Sequence, residues 1–210
     1  MKLSYVTDRK ALRGPTGDQT HLLLEKMESV ARAGVDWIQI REKDLSGREL
    51  AALVTEAIRR VPPSCQILVN DRLDVAFVAG AAGVHLGEQS ITVEDAKRLV
   101  AEKNFGKNFL IGVSTHSLEA AQRAQRDGAD YLFFGPVYET PSKAAFGPPQ
   151  GLQRLTEVCG SVSIPVIAIG GITPENARDC QRAGAAGIAA IRLFQDASDL
   201  QTVLQDLHSL

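Results

Sequence analysis

Eight short runs of β-favouring residues alternate with amphipathic segments along this chain, and that alternation limits the possible folds most strongly. The segments between the runs repeat apolar residues at spacings of three and four, as in Leu22-Leu23-Lys26-Met27-Val30, which is typical of helices packed on a sheet. Strict alternation of strands and helices predicts a parallel sheet. The predicted strands are Leu3–Thr7, Trp37–Ile40, Gln66–Val69, Gly83–Leu86, Phe109–Val113, Tyr131–Phe134, Val166–Ile169 and Gly187–Ile191.

Eight strand–helix units favour a (β/α)8 TIM barrel, with residues 1–210 as a single α/β domain. A weak repeat supports this count, because Gly34, Gly83, Gly128 and Gly184 each stand where a helix is expected to stop and a strand to begin. A doubly wound open sheet is the alternative. Its phosphate fingerprint is absent, since neither GxGxxG nor GKS/T follows the first strand.

Composition narrows the class of protein further. The chain is 44% hydrophobic with a net charge of −2, so it carries no overall basic field for nucleic acid. It shows neither a signal-peptide core nor an apolar stretch of the roughly 18 to 20 residues that spans a bilayer. Three scattered cysteines indicate a reducing compartment. We expect a cytoplasmic protein without membrane or nucleic-acid partners, and the oligomeric state stays open, with a homodimer as one candidate.

Charged residues follow the second predicted strand directly, in the run Gln39-Ile40-Arg41-Glu42-Lys43. The ends of barrel strands at this edge carry the active sites of such enzymes. Strand alternation places Gln39, Arg41 and Lys43 on one side of the backbone. The Arg fork and the Lys point charge suit phosphate oxygens, although a solvated charge run is the alternative interpretation.

The third to fifth strands also end in polar residues. Asn70 and Asp71 either cap the next helix or, for Asp71, bind Mg²⁺ beside substrate phosphate. His85 alternates with apolar neighbours, so a buried core histidine with satisfied hydrogen bonds is favoured. Ser114 is small where a substrate group could approach, and His116 either orients a helix start or carries a proton.

The last three strands predict phosphate contacts. The sixth leads to the hydroxyls and cation of Thr140-Pro141-Ser142-Lys143, followed by a Gly/Pro-rich loop suited to ordering over a ligand. The seventh leads to Gly170-Gly171 before a helix, where free backbone N–H groups can hold a phosphate. The eighth ends at Ile191-Arg192, which adds a cation.

The residues alone therefore imply two anion sites at one mouth of a barrel. The first combines Arg41, Lys43, Asp71 and Lys143, with help from a metal ion. The second combines Gly171, Ile191, Arg192 and the hydroxyls of residues 140–142. Two phosphorylated substrates, one of them a diphosphate, would account for both sites.

In these motifs the chain resembles the thiamine phosphate synthase family along nearly its whole length. The matching elements are Gln39-Ile-Arg41-Glu-Lys43, Val69-Asn70-Asp71, Gly83-Val-His85-Leu-Gly87, Gly112-Val-Ser114-Thr-His116, Gly135-Pro136 through Thr140-Pro-Ser142-Lys143, and Ile169-Gly170-Gly171-Ile172. The resemblance implies a transferase of thiamine biosynthesis. Such an enzyme joins hydroxymethylpyrimidine diphosphate to a thiazole phosphate, with Mg²⁺, and releases pyrophosphate.

The resemblance also implies a role for each candidate residue. The pyrimidine diphosphate would be held by Gln39, Arg41, Lys43, Asn70, Ser114 and Lys143, with Ile40 and Glu42 beside them. The thiazole phosphate would be held by Thr140, Pro141, Ser142, Gly171, Ile191 and Arg192. Asp71 would bind Mg²⁺. Arg41, Lys43, Lys143, Ser114 and His116 are the expected catalytic set.

Two departures from the family pattern leave the activity open to other interpretations. Ser90 stands where the family has an acidic second Mg²⁺ ligand, and Arg192 stands where it usually has Ser. The related thiazole tautomerase branch would use His116 and no diphosphate, and a non-catalytic thiazole-phosphate binder is a third candidate. The retained diphosphate-binding residues favour the synthase, with Ser90 as a weakened metal ligand.

Overall fold

The computed structural model describes residues 1–12, 19–106, 108–140 and 148–209. Eight parallel strands form a closed barrel in chain order, and the first pairs with the eighth. This confirms the predicted (β/α)8 fold. The strands are β1 (Lys2–Val6), β2 (Trp37–Ile40), β3 (Gln66–Asn70), β4 (Gly83–Leu86), β5 (Leu110–Thr115), β6 (Tyr131–Phe134), β7 (Val166–Ile169) and β8 (Gly187–Ala190).

Helices follow the strands on the outside of the barrel. They are α1 (Gln19–Arg32), α2 (Gly47–Arg60), α3 (Leu73–Ala79), α4 (Val93–Glu102), α5 (Leu118–Arg126), α6 (Gly151–Ser161), α7 (Pro174–Arg182), α8 (Arg192–Gln195) and α9 (Leu200–His208), with a 3₁₀ turn at Arg9–Ala11. The eighth strand is shorter than predicted, because Ile191 already has helical dihedrals and caps α8.

Local sequence signals explain where several elements begin and end. Ser46 forms the predicted capping box with Glu49 at the start of α2, and the Ser117 side chain accepts the Ala120 N–H at the start of α5. Gly34, at φ 112°, ends α1 as expected. Gly83 begins β4 as expected, but it is not the helix stop, because Gly80, at φ 70°, ends α3.

The core has two layers, and the inner one carries the site. Outward-facing strand residues pack on the helices, whereas a second buried cluster fills the barrel interior: Val6, Trp37, Leu68, Tyr131, Phe133, Ile167 and Ala189. Side chains two residues apart on a strand share a face. Gln39, Asn70 and Ser114 therefore lie inside the barrel, one step closer to its C-terminal mouth than Trp37, Leu68 and Gly112.

Candidate active site

An amide pair forms the floor of the mouth. Gln39 Nε2 donates to Asn70 Oδ1 over 2.9 Å across the paired strands β2 and β3, and Gln39 is 2% exposed. Gln39 Oε1 and the Asn70 amide nitrogen stay available for further bonds. The floor therefore presents a hydrogen-bond acceptor beside a donor, which suits the edge of a nitrogen heterocycle.

Two cations come after the strand that carries Gln39. Arg41 and Lys43 follow β2 directly, and neither side chain has an acidic partner within the described parts of the chain. The Arg41 guanidinium lies close enough to His85 to lower the pKa of that imidazole, as a smaller effect than burial. An anion that reached these side chains would therefore meet positive charge that no carboxylate in the described part of the chain neutralises.

Glu42, between these cations, points the other way. Its side chain is 3% exposed and accepts hydrogen bonds from the Thr7 hydroxyl at 2.6 Å and the Arg9 backbone N–H at 3.1 Å. Burial raises its pKa, and these two partners oppose that shift. Thr7 Oγ1 also accepts the Arg41 backbone N–H at 2.9 Å. The contacts of Glu42 thus favour a role in holding the Arg41 loop.

Sequence reasoning missed Thr7 and Arg9 in this network. The Arg9 guanidinium forms ion pairs with Glu42 and with Asp44, and its Nη1 lies 2.6 Å from Asp44 Oδ1. The hydrogen bonds from Arg9 lower the pKa of Asp44. The one sequence signal for this network is Thr7, a polar residue at the end of an apolar strand. Nothing in the sequence pairs Arg9 with residues 33 to 35 positions away.

Asp71 and Ser90 lie together, as their shared assignment to the metal required. The Ser90 hydroxyl donates to the Asp71 carboxylate and accepts the Gly87 N–H at 2.7 Å. Asp71 does not cap α3, since Arg72 occupies the N-cap. The described residues include no cluster of three or more His, Cys, Asp or Glu side chains for a metal. One carboxylate and one hydroxyl are hard oxygen donors, which fit Mg²⁺ when phosphate and water complete its shell.

His85 and His116 make different contacts. His85 is 1% exposed, and its ring nitrogens contact Tyr131 Oη at 3.0 Å and Ser114 Oγ at 2.9 Å. Burial, aided by Arg41, lowers its pKa to about 3. These contacts match the satisfied core histidine expected from the sequence. His116 Nδ1 donates to the Gly135 carbonyl, which leaves its Nε2 as the unprotonated nitrogen of a neutral ring.

The second predicted anion site is partly described. Gly171, at φ 68°, lies where a Cβ would come within 2.5 Å of the Glu139 carbonyl oxygen, so the β6 and β7 loops meet closely there. Arg192 is exposed at the first turn of α8, beside the half-buried Ile191. Thr140 is described, whereas Pro141, Ser142 and Lys143 lie outside the described residues.

Asn176 is a third residue that sequence reasoning missed. Its Oδ1 accepts the Thr173 N–H at 2.9 Å and its Nδ2 donates to the Gly171 carbonyl at 3.0 Å. The side chain thus ties the start of α7 to the glycine turn. An amide three residues after a capping Thr was the signal that would have found it.

Fold and site together define a (β/α)8 barrel enzyme class, with polar and cationic residues at the C-terminal ends of its strands. A family model described as thiamine monophosphate synthase matches residues 5–194. The chain belongs to this family, which confirms the resemblance found in its motifs.

Individual relatives are similar to this chain over most of its length. A thiamine-phosphate synthase of Methanoculleus marisnigri is 42% identical over 98% of this chain and 92% of its own. A putative thiamine-phosphate synthase of Geobacter sulfurreducens is 42% identical over 90% of this chain and 84% of its own. The structure of thiamine phosphate pyrophosphorylase from Pyrococcus furiosus superposes with a TM-score of 0.83 at 33% identity, covering 99% and 94% of the two chains.

Proposed function

We propose that this protein is a thiamine phosphate synthase, a transferase that joins hydroxymethylpyrimidine diphosphate to a thiazole phosphate and releases pyrophosphate. The names of its relatives support this activity. The observation that carries it is the amide floor of Gln39 and Asn70 at the strand ends, with Arg41 and Lys43 in the segment that follows β2. A neutral heterocycle with a diphosphate tail would meet hydrogen-bonding amides at one end and, at the other, cations that have no acidic partner among the described residues.

The proposed chemistry breaks the bond between the pyrimidine methylene carbon and the diphosphate oxygen, and forms a bond from that carbon to the thiazole nitrogen. Arg41, Lys43 and Lys143 would hold the oxygens on which charge grows, and such stabilisation dominates reactions that need little acid–base work. Asp71 and Ser90 would hold Mg²⁺, which when bound neutralises charge on the departing pyrophosphate. The thiazole phosphate would lie against Gly171, Ile191, Arg192, Thr140 and Ser142.

Thiazole tautomerisation is the second candidate, and the hydrogen bond of His116 is the observation in its favour. Because Nδ1 is committed to the Gly135 carbonyl, Nε2 is the nitrogen left to take a proton from a substrate. A tautomerase would convert the thiazole carboxylate phosphate without Mg²⁺ or a diphosphate. A non-catalytic binder would retain thiazole phosphate without converting it.

Replacing Arg41 by Ala tests the proposed activity at its main cation. We expect the coupling rate at limiting diphosphate to fall more than tenfold, because charge-assisted hydrogen bonds contribute about 1.5 to 3 kcal/mol. Arg126→Ala is the matched control, since Arg126 is exposed at the far end of α5. Equal coupling rates in both variants would contradict the assignment of Arg41.

The cellular compartment and the oligomeric state of the protein are further parts of the proposal. The three cysteines are free thiols, which supports work in the reducing cytoplasm on small-molecule substrates. Among the described residues, no helix has the length and apolar character needed to cross a bilayer. Homodimer formation stays a proposal, and light scattering of the purified protein would decide it.

A further inference from the structure

Three side chains form a hydrogen-bonded line through the barrel interior, from its centre to its mouth. Tyr131 begins β6, His85 lies in β4, and Ser114 lies near the end of β5. Tyr131 Oη is 3.0 Å from His85 Nδ1, and His85 Nε2 is 2.9 Å from Ser114 Oγ. Tyr131 and His85 are each 1% exposed, so the bond between them is shielded from solvent, whereas Ser114 is half-buried.

The direction of the hydrogens along this line follows from the donor inventory. His85 is neutral, because its ring is buried among aromatic rings and no carboxylate of the described residues contacts it. A neutral imidazole carries one N–H and one bare nitrogen. Either Tyr131 donates to Nδ1 and Nε2–H donates to Ser114, or both bonds run in the opposite direction.

Only the first direction uses every buried hydrogen. In the reverse arrangement Nδ1–H would donate to Tyr131, and the Tyr131 O–H would have no acceptor among the described residues. A buried donor without a partner costs its full desolvation penalty. In the first arrangement the Tyr131 O–H and the His85 N–H each have an acceptor. The Ser114 O–H is then available to donate to a group outside these three residues.

We propose that His85 is a positioning residue that, together with Tyr131, turns the Ser114 hydroxyl hydrogen toward the mouth, so that Ser114 donates to an anionic phosphate oxygen of the diphosphate. This inference rests on the proposed function, which places the diphosphate beside Ser114. A hydroxyl whose oxygen already accepts from His85 is a fixed donor. It gains strength as negative charge grows on the departing pyrophosphate.

The geometry around Tyr131 supports a fixed line. The Trp37 and Tyr131 rings lie 4.7 Å apart, and a Cβ at Gly112 would overlap the Tyr131 ring. Glycine at position 112 therefore leaves the space that the ring occupies. The ring is held from two sides, so its hydroxyl keeps one direction toward His85.

The first test reads the His85 tautomer in the wild-type protein, without substrate, by ¹⁵N NMR of labelled histidines. His85→Gln removes one of the four histidine signal sets and so assigns it. We expect the proton on Nε2 and a bare Nδ1. A proton on Nδ1 would overturn the proposal. This readout needs no turnover, so it stands or fails separately from the proposed coupling activity.

The second test is a double-mutant cycle on the coupling rate at limiting diphosphate. Tyr131→Phe keeps the ring and removes only the hydroxyl, and we expect about a tenfold loss, near the value of one charge-assisted hydrogen bond. In a Ser114→Ala background the same change should cost less than twofold, because its effect passes through Ser114. Equal losses in both backgrounds would overturn the proposal.

The matched control is Tyr5→Phe. Tyr5 is equally buried, and its hydroxyl donates to Gln195 at 2.9 Å in the outer layer. It should lower stability and leave the coupling rate at limiting diphosphate within twofold. A loss of that rate as large as the one caused by Tyr131→Phe would assign both effects to general loosening of the barrel and overturn the proposal.

Discussion

Asp71 holds a backbone conformation that few side chains adopt. Its φ is 66°, and among the described residues only Asn104 is another non-glycine with positive φ. Asp tolerates this region better than most residues, and strained backbone of this kind clusters at functional sites. The strain is offset by the His85 carbonyl, which accepts the Asp71 N–H at 2.8 Å. The site thus keeps the Asp71 carboxylate at the mouth, beside Ser90.

Ser90→Asp is the sharpest test of the metal assignment. The added carboxylate would face Asp71, so without a cation the two charges would repel each other. With Mg²⁺ they would bind the ion more tightly than one carboxylate and a hydroxyl do. We expect the Mg²⁺ concentration for half-maximal coupling to fall, and thiazole-phosphate affinity to stay nearly unchanged, both measured by steady-state kinetics.

Glu88→Gln tests the rival explanation, in which Glu88 and not Ser90 is the second metal ligand. Glu88 is exposed on the same loop and would be the ligand only if that loop rearranged. We expect its removal to leave the Mg²⁺ dependence unchanged. If Glu88→Gln raises the Mg²⁺ requirement while Ser90→Asp does nothing, the metal lies elsewhere on this loop. If neither variant changes it, the metal assignment is wrong.

At the scale of elements, the loops after β1 and β2 form one unit around Glu42. Thr7→Val keeps the side-chain shape and removes a hydroxyl that donates to Glu42 and accepts from Arg41. We expect the free energy of unfolding to fall by about 1 to 3 kcal/mol, because buried partners lose their bonds. Urea unfolding measures this loss.

Thr156→Val is the control for that change. Thr156 lies on the exposed side of α6, where its hydroxyl donates to the Leu152 carbonyl at 2.9 Å. We expect its effect to stay within about 0.5 kcal/mol, as for ordinary surface substitutions. If the two valine variants lost equal stability, Glu42 would not hold these loops together.

Two glycine-to-alanine changes test the packing of the barrel elements, because they should change stability in opposite directions. Gly112→Ala places a methyl group into the Tyr131 ring, and overpacking a tight core costs about 1 to 3 kcal/mol. Gly160→Ala adds a methyl near the end of α6 with no heavy atom within 4 Å, and helix propensity favours it by about 0.5 to 1 kcal/mol. Thermal unfolding should therefore move down for Gly112→Ala and up for Gly160→Ala, and shifts of the same sign would contradict this packing.

At the scale of the whole molecule, the buried thiols set an alkaline limit to stability. Burial raises the pKa of Cys65 to about 12, and that of Cys159 and Cys180 to about 11, from 9.0. Above pH 9 the unfolded chain therefore loses thiol protons before the folded one does. The corresponding stability is complete below that pH and is lost as pH rises toward the folded values.

Cys65→Ala isolates this contribution. Between pH 8 and pH 10 the variant should lose about 1 kcal/mol less free energy of unfolding than the wild type, since one pKa unit corresponds to about 1.4 kcal/mol. Urea unfolding at several pH values gives both slopes. Parallel slopes would show that the Cys65 thiol titrates alike in the folded and unfolded chains.

The sequence contains enough information for the barrel and for most of the mouth, and the reason is periodicity. Apolar alternation indicates strands such as Trp37–Ile40, and a parallel barrel brings residues after every strand to one edge. What the sequence does not show are the partners set by tertiary contact. Tyr131 meets His85 across 46 positions, and Arg9 meets Glu42 across 33, so no local pattern reports either pair. The Asp71 conformation likewise depends on its neighbours.

The most direct measurement follows both products of the purified protein, supplied with hydroxymethylpyrimidine diphosphate, thiazole phosphate and Mg²⁺. Thiamine phosphate and pyrophosphate are quantified over time, with each component omitted in turn. We expect one pyrophosphate for each thiamine phosphate, and no product when either substrate or Mg²⁺ is missing. Conversion of a thiazole carboxylate phosphate alone, without Mg²⁺ and without thiamine phosphate formation, would contradict the proposed synthase.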